Sequence, residues 1–233
     1  MNLLVEILFP RRCPICDKPV DKMGRYICTK CRPKIKYIKE PFCMKCGKGL
    51  RDDTLEYCED CKNSDHIFTR GRALYEYDTV KEAIYRLKYE GRIEYADFFG
   101  KDLAKKLGKE IQSWKADAII PVPLHKDREK QRGYNQANLL AKALGRELDI
   151  PVKENFILRS RGTLAQKQLN VKERQNNLKN AFKIGQNDVK LKTVIVVDDI
   201  YTTGATMDAV ARCLKLAGVR EVYFVSLAVG RGI

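Results

Sequence analysis

One stretch, from Val194 to Thr206, constrains the fold of this chain more than any other. It opens with four apolar residues in a row, a pattern typical of a strand that is buried on both faces of a parallel sheet. Asp198 and Asp199 follow at the carboxyl end of that strand, where open α/β sheets place their ligands. A threonine-rich loop and a helical pattern that ends at Gly218 complete the unit. The stretch therefore predicts an α/β sheet with a binding site at its edge.

The loop after the acidic pair has the composition of a phosphate site. A short Thr/Gly loop that opens a helix presents backbone N–H groups and the positive end of the helix dipole, and both attract phosphate. Gly204 permits a close approach of the backbone, and the threonines around it add hydroxyl donors. The two carboxylates would repel phosphate, but they suit sugar hydroxyls, which need acceptors. A sugar phosphate therefore fits this stretch better than a free nucleoside triphosphate.

A duplicated cysteine pattern fills the N-terminal part of the chain. Eight of the nine cysteines form four Cys-x-x-Cys pairs, and the first two pairs recur 30 residues later. Four thiolates per unit suit a structural zinc ion, and in a module with so few apolar residues metal binding would supply much of the folding free energy. We therefore expect two zinc ions, held by Cys13, Cys16, Cys28, Cys31, Cys43, Cys46, Cys58 and Cys61. Each ion could use one repeat in sequence, or the repeats could interleave.

The charge of the chain favours a polyanionic partner. The formal net charge of +15 predicts attraction to nucleic acid or to polyphosphorylated substrates. Residues 1–66 carry 14 Lys or Arg and 10 Asp or Glu, so eight thiolates and two zinc ions would leave them close to neutral. Most of the basic charge then belongs to the rest of the chain. We expect a double zinc-ribbon module over residues 1–66 and a larger α/β domain over residues 67–233.

No apolar run approaches the roughly 20 residues that cross a membrane. The N-terminal segment lacks a basic flank and contains Glu6, so it is a poor signal peptide, although its apolar residues fit one face of a short helix. We therefore expect no membrane insertion, a cytoplasmic location, and reduced cysteines rather than disulfides. The ninth cysteine, Cys213, falls on the helix after the acidic pair and is expected to be a packed thiol.

The remaining apolar patterns predict a parallel sheet flanked by helices. Strand-like segments lie within residues 73–77, 117–125 and 221–229. Helical spacing covers residues 79–90, 95–107 and 136–148. We expect the last strand beside the one that carries the acidic pair, and Asn135 as the cap of the third helix. Lys88 lies at the end of the first helix, where we favour an interaction with the helix dipole over contact with a ligand.

Two basic segments are expected near the ligand end of the sheet. The first precedes Gly133, and we expect a mobile loop that could close over a bound polyphosphate, with a solvated charge run as the alternative. The second lies within residues 158–182, where alternating arginines suit phosphate contacts. Tyr134 could stack a base. The residues expected to contact a nucleic acid are Lys126, Arg128, Lys130, Arg132, Tyr134, Arg159 and Arg161.

The stretch from Val194 to Thr206 resembles the phosphoribosyl-pyrophosphate (PRPP) motif of type I phosphoribosyltransferases. The resemblance implies that Asp198 and Asp199 hold the ribose hydroxyls, with Mg²⁺ bridging these hydroxyls and the pyrophosphate. It implies a 5-phosphate loop made of Thr202, Thr203, Gly204, Ala205 and Thr206. It also implies a pyrophosphate contact by a loop and the basic segment after it: Val122, Pro123, Leu124, His125, Arg128 and Arg132. Whether His125 contacts pyrophosphate or faces solvent stays open.

Across nearly the whole chain the pattern resembles the ComF family of competence proteins. The shared features are Leu8-Phe9-Pro10, Pro121-Val122-Pro123-Leu124, Arg132-Gly133-Tyr134-Asn135-Gln136, Arg159-x-Arg161-x-Thr163-x-x-Gln166 and the acidic pair. The resemblance implies a cytoplasmic factor for natural transformation that handles incoming single-stranded DNA, with other competence proteins such as a helicase as partners. The alternative is a phosphoribosyltransferase that acts on a small-molecule acceptor. Thr202 stands where purine-salvage enzymes have an aspartate, which argues against purine salvage. The sequence does not say whether the site is catalytic or a sensor.

Overall fold

A computed structural model describes residues 10–22, 24–159, 181–185 and 190–230 of the chain. Its strands are β1 (Arg70–Glu76), β2 (Ala118–Pro121), β3 (Ile157–Arg159), β4 (Phe182–Ile184), β5 (Thr193–Tyr201) and β6 (Glu221–Val229). Strands β1, β6, β5 and β2 form a parallel sheet in that order, and β3 and β4 form a separate antiparallel pair. The sheet confirms the predicted α/β class, with the last strand beside the one that carries the acidic pair.

Helices cover both faces of this sheet. They are α1 (Glu59–Lys62), α2 (Tyr77–Tyr89), α3 (Tyr95–Ser113), α4 (Lys126–Arg132), α5 (Gln136–Leu148) and α6 (Ala205–Leu216), with a 3₁₀ turn at Arg32–Lys34. The second predicted helix extends beyond its expected end, because Ile111 continues its buried stripe. None of the helices in the described ranges is long and apolar enough to span a bilayer. The expected N-terminal helix lies outside the described residues.

The basic segment that we expected as a mobile loop is instead helix α4. The His125 ring accepts a hydrogen bond from the Asp127 N–H at 3.3 Å and so caps the first turn. Gly133 ends the helix in the left-handed conformation, with a φ of 83°. The expectation was wrong because the charge run carries no apolar periodicity, so only its two ends mark it as a helix.

Strand β5 lies at the centre of two packed layers. Val194 and Val196 belong to a core formed with α6, whereas Ile195 and Val197 belong to a core formed with α2, α3 and α5. All four side chains are at most 1% exposed. The strand is therefore buried on both faces, as its apolar run predicts, and the acidic pair follows directly after this run.

The segment that joins the two cysteine repeats covers the edge strand of the sheet. Residues 36–38 run antiparallel to β1, with Tyr37 opposite Tyr75 and a 2.9 Å hydrogen bond from the Ile38 N–H to the Leu74 carbonyl. An uncovered edge strand exposes unpaired backbone groups, and this pairing satisfies part of them. The N-terminal module is thus joined to the sheet by backbone hydrogen bonds as well as by its chain connection.

Candidate functional site

The structure gathers the paired cysteines into two groups: Cys13, Cys16, Cys28 and Cys31, and Cys43, Cys46, Cys58 and Cys61. In each group the four Sγ atoms lie within 4.8 Å of one another. The Sγ–Sγ distances are 3.9 Å for Cys16–Cys28 and 3.7 Å for Cys46–Cys58. A tetrahedral zinc site with Zn–S bonds of about 2.3 Å requires an edge of about 3.8 Å. The cysteines therefore fit two structural zinc ions, each held by one repeat in sequence.

The two repeats fold alike around their first cysteine pair. The N–H groups of Cys13 and Cys43 each donate to the carbonyl five residues later, at 2.8 and 2.7 Å. The residue after each pair is left-handed, with a φ of 55° at Asp17 and 75° at Gly47. Asp17 tolerates this conformation better than most residues do. Its carboxylate also pairs with Arg92 at 3.1 Å, which anchors the first ribbon to the start of α3.

The second cysteine group is part of the main core. Cys43 and Cys46 are fully buried, in the same cluster as Val196 of β5. A side chain at Gly47 would come within 2.8 Å of the Arg72 Cα, so the knuckle of this ribbon lies directly against β1. The second ribbon therefore forms one wall of the α/β domain. Cys213 is partly buried against this core, which confirms the expected packed thiol.

The two carboxylates of the acidic pair have different partners. Asp199 is 3% exposed, accepts a hydrogen bond from Gln136 Nε2 at 3.1 Å and forms an ion pair with Lys88. Asp198 accepts a hydrogen bond from the backbone N–H of Asp199 at 2.8 Å. Burial, and then the neighbouring Asp199 carboxylate, raise the pKa of Asp198 above its ordinary value. A cation bound between the two carboxylates would relieve this repulsion.

Lys88 has a different role from the one that we favoured. Its Nζ reaches Asp199 at the carboxyl end of β5, and its side chain is only 20% exposed. An interaction with the dipole of α2 alone would leave the ammonium group in solvent. Helix α2 packs on the sheet so that its last turn lies over the end of β5. No local pattern signals this contact, because the two residues meet only in the folded chain.

The predicted phosphate loop is exposed at its first two threonines and buried at its glycine. Thr202 and Thr203 are exposed, and Gly204 is left-handed, with a φ of 83°, at the residue that precedes α6. Ala205 and Thr206 form the first turn of that helix and are partly exposed. The first N–H groups of a helix have no partner within it, so this turn offers donors to an anion. The loop lies directly after the acidic pair, as the sequence indicated.

His66 contacts the predicted phosphate loop from the second ribbon, and sequence reasoning missed it. Its side chain is 2% exposed, and Nδ1 lies 2.8 Å from the Asp208 carboxylate in the first turn of α6. Its Nε2 lies 3.4 Å from the Tyr201 hydroxyl at the end of β5. A lone histidine after a zinc ribbon carries no pattern that predicts such a contact. Its nearness to the last cysteine pair was the one available signal.

A cleft of 390 Å³ opens beside the acidic pair. Its lining residues are Lys88, Tyr89, Gly91, Arg128, Gln131, Arg132 and Tyr134. Arg128 and Arg132 are one helical turn apart on α4, so both face the cleft, whereas Lys126 and Lys130 lie on another face of the helix. The structure thus divides the four basic residues of α4 into an inner pair and an outer pair.

Residues 135 and 136 follow α4, and Gln136 forms hydrogen bonds to both the cleft and the acidic pair. The Gln136 oxygen accepts a hydrogen bond from Arg132, while its amide donates to Asp199. Asn135 caps α5, as predicted, by accepting from the Ala137 N–H at 3.0 Å. These contacts make Gln136, which is 6% exposed, a bridge between the cleft arginine and the buried carboxylate.

The proposed pyrophosphate loop links β2 to α4. Val122 is buried, and its carbonyl accepts a hydrogen bond from Asn135 Nδ2 at 3.0 Å. Pro123, Leu124 and His125 are partly buried. His125 uses Nδ1 to cap α4, which gives the ring a structural role that the sequence did not indicate.

Other residues of the expected DNA-binding set differ in their surroundings. Burial, and then the positive charge of Arg128, lower the pKa of Arg159, while the Asp198 carboxylate acts in the opposite direction. Arg161 lies outside the described residues. The Tyr134 hydroxyl donates to the Leu87 carbonyl at 2.6 Å, which fixes this half-buried ring to the end of α2.

The exposed aromatic surface near the cleft is on α2. Tyr89 is 65% exposed and Tyr85 is 52% exposed, with their ring centroids 5.0 Å apart. The Arg132 guanidinium lies 5.0 Å from the centre of the Tyr89 ring. A cation over an aromatic ring adds a favourable electrostatic contact and helps to fix the ring. Both Tyr89 and Tyr134 line the cleft, and Tyr89 is the more exposed of the two rings.

Two family models match separate parts of the chain. The double zinc ribbon domain matches residues 4–62, and the phosphoribosyl transferase domain matches residues 98–232. The second match covers the predicted phosphate loop, the acidic pair and the basic helix α4. Neither match covers residues 63–97, which contain His66, β1 and Lys88.

Three known proteins are similar over most of their length. "Competence protein F" of Haemophilus influenzae is 32% identical over 230 residues, which cover 94% of this chain and 97% of that protein. "Competence protein ComFC" of Bacillus subtilis is 32% identical over 209 residues, which cover 86% of this chain and 81% of that protein. "DNA utilization protein YhgH" of Escherichia coli K12 is 29% identical over 222 residues, which cover 91% of this chain and 94% of that protein.

Proposed function

Because the chain belongs to the ComF and ComFC family, in which a double zinc ribbon precedes a phosphoribosyltransferase domain, we propose that it serves natural transformation by binding PRPP and single-stranded DNA. One observation carries the proposal: an acidic pair, a helix-opening loop and a group of cations meet at one end of the sheet. We also propose a cytoplasmic location, with other competence proteins such as a helicase as partners. The units 1–66 and 67–233 act together in this proposal.

The loop from Thr202 to Thr206 would hold the ribose 5-phosphate. Exposed hydroxyls and the first N–H groups of α6 supply the donors, and the left-handed Gly204 turns the backbone into the helix. Asp198 and Asp199 would accept hydrogen bonds from the ribose hydroxyls. Mg²⁺ supplies the positive charge that allows two carboxylates and a pyrophosphate to share one site.

The cleft beside the acidic pair would hold the pyrophosphate. Lys88, Arg128 and Arg132 reach it from two helices, and each offers a charge-assisted hydrogen bond. Gln136 joins Arg132 to Asp199, so the cation and the carboxylate keep a fixed relation. A bound pyrophosphate would place negative charge beside Lys88. It would then share with Asp199 the role of compensating the charge of this ammonium group.

Single-stranded DNA would follow the outer rim of the same cleft. A base would stack on Tyr89, where stacking is worth about 1–3 kcal/mol per base. Lys126 and Lys130 on the outer face of α4 would contact phosphates without entering the cleft. The net charge of +15 favours such contacts, and each one should make the affinity more dependent on salt.

A second candidate is a phosphoribosyltransferase that acts on a small-molecule acceptor. The size of the cleft favours it, because 390 Å³ lies within the range of about 300–1,000 Å³ typical of small-molecule sites. Thr202 supplies a hydroxyl rather than the carboxylate that purine-salvage enzymes use on the base. The acceptor in this case would be something other than a purine.

Pyrophosphate release distinguishes these activities. The full chain is incubated with PRPP, Mg²⁺ and one acceptor at a time, including single-stranded DNA. Release with a small molecule alone would establish the second candidate, and release with DNA would make the site catalytic on DNA. PRPP binding without release in any mixture would make the site a sensor.

Fluorescence anisotropy with labelled oligonucleotides tests the DNA surface in the full chain. We expect Tyr89→Ala to weaken binding at least about fivefold. Tyr57→Ala is the matched control, because Tyr57 is also exposed but belongs to the second ribbon. The logarithm of affinity should fall with the logarithm of salt at a slope of roughly −0.7 per phosphate contact. Equal losses in the two variants would remove Tyr89 from the DNA surface.

A further inference from the structure

We propose that His66 is a positioning residue that ties the PRPP phosphate loop to the second zinc ribbon, and thereby sets the affinity of that loop for the 5-phosphate. This inference rests on the proposed PRPP site. It assigns a role to residues 63–69, which lie between the two regions matched by family models. The argument depends on three contacts that surround the loop.

The first contact fixes the helix that follows the loop. The Asp208 carboxylate lies 2.8 Å from His66 Nδ1 and accepts a 2.8 Å hydrogen bond from the Ile67 N–H. His66 and Ile67, which are adjacent in the segment 63–69, therefore bind the two oxygens of one carboxylate. Asp208 lies in the first turn of α6, so this clamp fixes the N–H groups that the phosphate would use.

The other two contacts fix the loop itself. His66 Nε2 lies 3.4 Å from the Tyr201 hydroxyl, at the last residue of β5. A side chain at Gly204 would come within 2.6 Å of the His66 ring, so the ring lies directly against the loop backbone. His66 thus touches the residue before the loop, the glycine within it and the helix after it. A loop held on all three sides has less conformational freedom to lose when phosphate binds.

The imidazole is in turn held by the second ribbon. Its ring stacks on Phe68 at 4.7 Å, and Phe68 is 1% exposed. Lys45, from the knuckle of that ribbon, lies 5.2 Å from the centre of the Phe68 ring. Phe68, Cys46, Cys58 and Tyr201 belong to one buried cluster. The position of the ribbon is therefore transmitted to the loop through packed side chains.

Two substitutions separate the hydrogen bonds of His66 from its packing. His66→Phe keeps the ring but removes both nitrogens, whereas His66→Asn places an amide near the position of Nδ1 and keeps a donor for Asp208. The probes are ribose 5-phosphate and pyrophosphate, each titrated into the full-length, zinc-loaded chain by calorimetry. Thr69→Val is the control. Thr69 lies in the same segment, residues 63–69, and the substitution removes a hydroxyl that donates to Glu221 at 2.6 Å.

We expect His66→Phe to weaken ribose 5-phosphate binding about tenfold and to leave pyrophosphate binding within about twofold of the wild type. His66→Asn should recover most of the loss, and Thr69→Val should change neither affinity. Asp208→Asn weakens the same clamp from the helix side and should show the same selectivity, so it serves if His66→Phe does not fold.

Unchanged ribose 5-phosphate affinity in folded His66→Phe, or an equal loss for both probes, would overturn the positioning role. A wild type that binds neither ribose 5-phosphate nor PRPP would instead refute the proposed function, and the inference with it.

Discussion

Lys88 and Asp199 form an ion pair that joins the last turn of α2 to the end of β5. The exposed fractions of the two side chains are 20% and 4%, so the pair is largely withdrawn from water. Removal of one partner would leave a buried charge without compensation, which destabilises a protein more than loss of a surface pair does. The pair therefore contributes to folding stability at the carboxyl end of β5 and also supplies charged groups to the proposed site.

Replacement of Lys88 by Met should lower both stability and PRPP affinity. The buried Asp199 carboxylate loses its cation, so we expect the free energy of unfolding to fall by about 3 kcal/mol. PRPP affinity should fall about tenfold, because the cleft loses a cation that faces pyrophosphate. Denaturant unfolding and titration calorimetry measure the two effects. Lys81→Met, on an exposed face of the same helix, is the control. A variant that behaves like this control would show that Lys88 is not part of the site.

Alanine at Gly204 should cost more than alanine at Gly218. Both glycines are left-handed, with φ of 83° and 94°, so each substitution carries a conformational cost of about 1 kcal/mol. At Gly204 the new Cβ would also meet the His66 ring and the Tyr201 hydroxyl, whereas at Gly218 it meets nothing within 4 Å. Unfolding in denaturant and ribose 5-phosphate titration compare the variants. Equal stability and affinity would contradict the contact between His66 and the loop.

Most of the elements around the acidic pair could be predicted from the sequence because their signals are local, whereas helix α4 and the strands β3 and β4 were not predicted. The apolar run before Asp198 and the helical spacing before Asp149 gave the strand and the helix near their observed bounds. The contacts of Lys88 and His66 could not be predicted, because each joins segments far apart in the chain. The pairing of residues 36–38 with β1 was hidden for the same reason. Local pattern thus located the acidic pair and the loop, whereas the residues that hold them required the folded structure.

Loss of the second zinc ion should destabilise the chain more than loss of the first. We expect two zinc ions per chain in the wild type, measured by metal analysis of reduced protein. Cys46 is fully buried in the core around β5, whereas Cys16 is partly exposed, so Cys46→Ser should lower the melting temperature more than Cys16→Ser. Cys213→Ser, outside both groups, should retain both ions. A larger effect of Cys16→Ser would contradict the structural role of the second ribbon.

Asp117 should contribute to stability in a pH-dependent way. Its carboxylate accepts hydrogen bonds from the N–H groups of Thr193 and Lys192, at 2.9 and 2.7 Å, at the start of β5. These bonds lower the pKa of Asp117, so the unfolded chain binds this proton more readily than the folded chain does. The contribution is present above the unfolded pKa of about 3.9 and is lost as the pH falls through the folded pKa.

Asp117→Asn should therefore reduce stability near pH 7, and its difference from the wild type should shrink as the pH falls below about 4. Denaturant unfolding across the pH range measures this difference. The control is Asp53→Asn, at an exposed position of the second ribbon. If the difference in the free energy of unfolding does not change with pH, the effect of the substitution does not come from the charge of the Asp117 carboxylate.

Calorimetric titration of Mg²⁺ and PRPP into the wild type and into the Asp198→Asn/Asp199→Asn variant tests the central claim most directly. The variant keeps the side-chain volumes but removes the charges that would hold the ribose hydroxyls and Mg²⁺. The exposed pair Asp52 and Asp53 provides a matched Asn/Asn control. We predict saturable binding to the wild type and the control, and loss of at least about tenfold in the variant. Equal affinity in all three folded proteins would contradict a PRPP site at the acidic pair.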